Sequence, residues 1–306
     1  MDGLIKALYN AGFTVWNTIV GLAMTLFTKS PASLDVYNIA HNIYLSIQDI
    51  TIPIAIVIFL IGWLKAVCQG PPERTAHEMF GIFLRFCIVV AIAANLWAFM
   101  GYVIQVTDGI TDAVASSSGG IPDYNLDLKD TLSSAIDSIS STPTSDDIDW
   151  DIMHPFISFG KFVTIWVTWF LTYVGFLIAS IITLGIMVYC SIVILSQAYQ
   201  RIIKPLVVLP FMAISFGFAA GQGEGDRVAI NYFKTIVGYL LSGAFMVVAV
   251  KIGVALTNSD DITNALVSSS SDVTMVMLLE SIKTMITPII TVGIVKSTDS
   301  IMSRLF

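Results

Sequence analysis

The sequence predicts an all-α fold: a polytopic transmembrane helical bundle with about five spans, an N-terminal amphipathic helix and a re-entrant or interfacial hairpin. Three observations lead there. First, 56% of the 306 residues are hydrophobic and only 12% are charged, with a mean hydropathy of +0.82, whereas a water-soluble globule carries about 25% charged residues. Second, several runs reach the roughly 20 apolar residues that a helix needs to cross a hydrocarbon core. Third, most of the remaining charges lie between those runs.

The net charge of −7 matters less than its distribution, because ten of the 22 acids, from Asp108 to Asp151, fall in one segment. Cys68, Cys87 and Cys190 are scattered in or beside apolar segments and form neither a disulfide framework nor a CxxC metal site. They read as small apolar packers. The start of the chain carries Lys6 but no small-residue cleavage site, so a removable signal peptide is not expected.

Residues 1–28 space Leu4, Leu8, Ala11, Val15, Ile19, Leu22 and Leu26 at three- and four-residue intervals, with Lys6, Asn10, Thr14, Asn17, Gly21 and Thr25 on another face. A helix of that kind lies in the membrane interface or lines an aqueous or inter-subunit surface; a plain first span is the alternative. Residues 29–107 hold the first transmembrane pair, Ile50–Val67 and Phe80–Val106, joined by a Gly-Pro-Pro turn. Residues 108–158 form an acidic external loop, too polar to bury, in which Leu126–Ile139 has the spacing of a short amphipathic helix.

Residues 159–306 form a C-terminal transmembrane region. No charge occurs from Phe162 to Gln200, and without a turn dipeptide this run is expected to be one long helix rather than two spans. Arg201 and Lys204 follow, then Pro205–Ala220, too short to cross comfortably. Pro205 is expected to end the long helix, and a Gly-rich turn, GQGEGDR, occupies 221–227. Two more apolar segments, Thr235–Leu256 and Val273–Val295, complete the chain.

Lys and Arg in short loops mark the cytoplasmic side. Lys65, Arg74, Arg85, Arg201, Lys204, Arg227 and Lys234 share one side if spans alternate, together with the C-terminus. The elbow 201–234 is then cytoplasmic and 108–158 external, so Pro205–Ala220 enters and leaves from the cytoplasmic side. Arg201 and Lys204, one turn apart, are expected to share a face at the anionic headgroup level. Backbone of this kind at membrane depth needs protein or a water-filled cavity around it.

No catalytic motif is present: neither HExxH, GxSxG, Walker A nor GxGxxG occurs. No cofactor or metal is expected, and His41, His77 and His154 are isolated. Charges inside spans are costly and face partners or cavities, which singles out Lys251, Glu280 and Lys283. Glu280 is expected to pair with Lys283 or Lys251. Trp63, Trp97, Trp166 and Trp169 read as belt anchors; Trp150, outside any span, is a candidate external contact.

The segment Glu78–Ser116 (EMFGIFLRFCIVVAIAANLWAFMGYVIQVTDGITDAVAS) resembles the second-span region of the TrbL/VirB polytopic family, the sixth VirB protein of type IV secretion systems. Arg85, Phe86, Asn95 and Tyr102 occupy the matching positions. Gln197–Leu256 is similar to the later core of that family: a charged elbow, a Pro-containing apolar hairpin, a polar Gly loop and another span. The resemblance implies a non-enzymatic subunit of a conjugation or secretion machine in the bacterial cytoplasmic (inner) membrane. It also implies a cyclic homo-oligomer, pentameric in form, beneath a minor-pilin stalk and beside secretion ATPases, along the path of pilin, DNA or protein substrate. The remaining partners would be other secretion-system subunits and membrane lipids. A secondary transporter or ion channel is the alternative; it predicts inverted repeats, and no convincing repeat relates the two halves.

Overall fold

The computed structural model describes residues 3–69, 72–117, 126, 132–134, 136–137, 155–220, 224–258 and 273–305. Among them helix is the only regular structure: α1 Gly3–Thr28, a 3-10 turn Pro31–Ser33, α2 Asp35–Gln69, α3 Pro72–Ser116, α4 Pro155–Val208, a second 3-10 turn Leu209–Phe211, α5 Met212–Phe218, α6 Glu224–Asn258 and α7 Val273–Leu305. Six helical stretches are long and apolar enough to cross a membrane, α1 included. Many of their apolar side chains remain exposed, among them Ile61, Leu64, Phe80, Leu171 and Ile252. Lipid is the solvent that tolerates such a surface, because its acyl chains are as apolar as these side chains.

The chain divides into two compact units. One comprises Met1–Ala23, Ser118–Leu195 and Ala249–Ile294; the other comprises Met24–Ser117, Ser196–Val248 and Val295–Phe306.

In the first unit the buried stripe of α1 has an aromatic centre, Tyr9, Phe13 and Trp16, between Ile5 and Val20. The Leu stripe of the sequence reading lies on the other side, with Leu4 and Leu22 about half exposed. Large rings bury more area than leucines, and the tight approach of Gly12 to Leu184 and Met187 brings that face against α4. The polar face binds the acidic segment instead of water alone. Asn17 Nδ2 donates to the Leu126 carbonyl (2.9 Å) and Asn17 Oδ1 accepts from the Leu126 N–H (2.8 Å). Lys6 pairs with Asp137 at 2.6 Å, while Leu126, Leu132 and Ile136 are buried. Residues 132–134 and 136–137 are helical, as their spacing predicted; Leu128, Ala135 and Ile139 lie outside the described residues, as do Trp150 and His154.

Helix α4 runs unbroken for 54 residues, so the single-helix expectation for 162–200 holds. It passes through Pro205, which lies inside it rather than ending it. Proline removes one hydrogen bond and bends a helix, but neighbouring helices at membrane depth satisfy the freed groups. The chain breaks a turn later at the 3-10 segment containing Pro210. There Tyr232 of α6 donates its hydroxyl to the Val208 carbonyl at 2.7 Å, satisfying one of the carbonyls that a helix end orphans.

Within the second unit, α2 and α3 form an antiparallel pair, with Tyr44 donating to the Ala93 carbonyl at 2.9 Å. The limb from Ser196 to Phe218 lies along them. Leu209 and Met212 pack with Leu96, Met100 and Ile104, whereas Ala219 and Ala220 pack with Val89 and Ala55. Gly217 permits the close approach to Thr51, whose Cγ2 would stand 3.2 Å from any Cβ there. Helix α6 returns beside the limb, with Ala229 near Val89 and Ile236 and Leu240 near Leu96 and Met100.

Candidate functional site

The open end of that helical hairpin is where the second unit buries its charge. Arg201 is 2% exposed. Its Nη1 donates to the carbonyl of Phe27 and lies 3.3 Å from that of Leu26 and 3.4 Å from that of Lys29. Those carbonyls belong to the last turn of α1 and the residue after it, where unsatisfied acceptors and the negative end of the helix dipole favour a cation. Asp108 of α3 lies 3.9 Å from Nη2, and the Ser30 side chain bonds to the same carboxylate. Arg201 Nε and Nη2 and Asp108 Oδ1 make no hydrogen bond. The guanidinium edge rests on α6 at Gly243, where a Cβ would fall inside it.

This geometry corrects three expectations. Arg201 does not share an exposed headgroup-level face with Lys204; it is consumed by helix contacts, and Lys204 lies 6.0 Å from the Tyr239 ring centroid, at the limit of a cation–π contact. Asp108 does not begin a loop, because α3 continues through Asp108 and Asp112 to Ser116. Nor does the hairpin enter from the end of α3 that carries Arg85. Its open end meets Asp108, while at its tip Arg85 Nε donates to the Ala219 carbonyl at 3.0 Å. The 23 residue steps of α3 from Arg85 to Asp108 span about 35 Å at 1.5 Å per residue. The limb therefore runs most of the length of a bilayer-crossing helix.

The other predicted residues fall as follows. Arg227 and Lys234 are exposed on α6. Lys251, Glu280 and Lys283 all belong to the first unit; Glu280 is 5% exposed and its carbonyl accepts from Thr284 at 2.6 Å. Trp97 is ringed by Tyr37, His41 and Tyr44, with His41 stacked at 4.7 Å, so this His is part of an aromatic cluster. Phe86 meets Phe59 at 4.6 Å, and Tyr102 is 68% exposed.

Sequence reasoning missed the buried polar stripe of α7, Ser281, Thr284, Thr287 and Thr291. Its recurrence every three to four residues was the available signal. Small polar residues let membrane helices approach closely, as Gly253 of α6 does against Thr291.

Together the fold and this site define a multi-pass α-helical membrane protein whose buried charge joins helices; among the described residues no cluster of His, Cys, Asp and Glu has the form of a metal site. The chain belongs to the TrbL/VirB6 plasmid conjugal transfer protein family, which matches it over residues 54–296. That family places it among the components of conjugal-transfer or type IV secretion machinery. No curated protein and no solved structure matches the chain.

Proposed function

We propose that the protein acts as an oligomeric channel or assembly platform in the bacterial cytoplasmic membrane, serving pilus assembly or substrate passage without bond chemistry of its own. The observation that carries this reading is the family match across 54–296, which takes in α3, the hairpin and the last two long helices. Its partners are other copies of itself, a minor-pilin stalk on the side of 108–158, and secretion ATPases on the opposite, cytoplasmic side with Lys65, Arg85 and Arg227.

Two features support it. The apolar exterior is extensive, and the second unit holds its helices by a buried charge rather than exposing that charge to a transported ion. The experiment is gene deletion in a conjugating donor, with complementation, scored for plasmid transfer and pilus formation, alongside mass measurement of the detergent-purified protein. Loss of transfer with a multimeric particle is the expected result. Unchanged transfer and a strictly monomeric particle would overturn the proposal.

A further inference from the structure

On the outer surface of the second unit, α2 and α6 each present a charge at membrane depth. Asp49 of α2 and Lys234 of α6 are both exposed, and each lies inside a stretch long and apolar enough to cross a membrane, Asp35–Lys65 and Arg227–Leu256. The Gln48 side chain donates to the Ala93 carbonyl at 3.3 Å, which sets the neighbouring Asp49 near the level of Ala93 on α3. Along that helix Ala93 is about 12 Å from Arg85 and about 22 Å from Asp108. Lys234 is bracketed on the same stretch: Ala229 packs with Val89, and the Phe233 ring lies 5.9 Å from that of Phe99. Both charges therefore stand at the depth of Val89–Phe99.

Neither position suits lipid. An ionised side chain at membrane depth faces a partner or a cavity; lysine can extend toward the headgroups on its long stem, but aspartate has no such reach. Asp49 also brings a second acceptor, because Pro53 has no N–H to give the Asp49 carbonyl one turn back. A carboxylate and a carbonyl without its helical donor call for a cation with several donors, and a lysine ammonium carries three. Among the described residues neither Asp49 nor Lys234 makes an ion pair within the chain. The surroundings keep the two faces opposite in sign: no Lys or Arg occurs from Asp35 to Leu64, and no acid from Arg227 to Asn258. Asn42 shares the Asp49 face of α2 and Asn231 the Lys234 face of α6, and both are exposed.

We infer that Asp49 of one copy pairs with Lys234 of the next, joining the α2 face of one protomer to the α6 face of its neighbour. This rests on the multimer of the proposed function and names the surfaces that build it. Contact of an acidic face with a basic one is heterologous, so every added copy leaves one face of each kind open until a ring closes. Because the two charges lie at a common depth, successive copies do not climb, which favours a ring in the membrane plane over a filament. Charge also sets the pairing, since α2 against α2 or α6 against α6 would oppose like charges.

The test uses the full chain with Cys68, Cys87 and Cys190 replaced by Ser. Asp49→Cys on one tagged chain and Lys234→Cys on a second, differently tagged chain are co-expressed, and a short bifunctional thiol reagent is added to the membranes. The two tags should appear together in one crosslinked dimer, and pairing either variant with itself should give about tenfold less product. Asp49→Lys and Lys234→Asp should each lower the multimeric fraction of the purified protein about tenfold, and the two together should restore it. A wild-type multimer without the mixed crosslink, or a double swap no better assembled than the single ones, overturns the inference and leaves the multimer standing. A wild-type monomer removes both. A photo-crosslinker at position 49 that captures a different polypeptide also overturns it. If a charge-reversed chain does not insert, the mixed crosslink decides alone, since both cysteine positions are exposed.

Discussion

Arg201 shows how one side chain changes meaning once its neighbours are known. In the sequence it is a cation after a long apolar run; in the fold it closes the end of α1, faces Asp108 and rests against Gly243. Gly243→Ala should therefore destabilise the protein by about 2 kcal/mol through overpacking. The cost should be non-additive with Arg201→Ala, which removes the clash; denaturation in mild detergent measures both. Arg201→Gln alone should cost about 3 kcal/mol because it leaves Asp108 without its partner, and adding Asp108→Asn should recover part of the loss. Asn17→Ala should release the Leu126 backbone, at roughly 1–3 kcal/mol for the lost pair of bonds. Faster proteolysis of 118–154 at unchanged helix content is the expected readout. The polar face of α1 includes Asn17 in the sequence, but nothing there names its partner, a backbone more than 100 residues away.

At the scale of elements, the long spans and the unbroken α4 were legible because length and apolarity alone specify a membrane helix. The depth of the hairpin was not. Counting Lys and Arg placed Arg201 with Arg85, yet the two lie at opposite ends of a segment of α3 about 35 Å long. The rule treats every cation as solvated, and Arg201 is withdrawn from solvent by carbonyls and a carboxylate. Cysteine accessibility in intact cells distinguishes the two arrangements. With Cys87 and Cys190 replaced by Ser, Arg227→Cys should label from the same side as Cys68, and Gln200→Cys from the opposite side. Labelling of all three from one side would restore the shallow hairpin. The faces of α1 were misread for a related reason: leucine spacing identifies an apolar stripe, but Trp16, Tyr9 and Phe13 bury more area and win the contact.

For the whole molecule, family membership and the apolar exterior lead to an assembly, and assembly is where its charge pairs should matter most. Arg201→Gln is expected to lower conjugal transfer in proportion to the loss of folded protein. Lys204→Gln, whose side chain is not buried, should leave membrane insertion intact. Transfer frequency set against membrane abundance measures both; transfer lost at normal abundance in Lys204→Gln would place that lysine at a contact with a partner.

The sequence by itself determined the solvent, the all-helical class, the long helix and the family, because these follow from composition, run length and local pattern. Tertiary structure alone decided which face of α1 is buried, at which level the hairpin opens, and that Arg201 joins α1, α3 and α6. Those outcomes depend on which distant carbonyl, carboxylate or glycine a side chain meets. A charge has one fate at a headgroup and another at a helix end, and the residues around Arg201 in the chain are compatible with either.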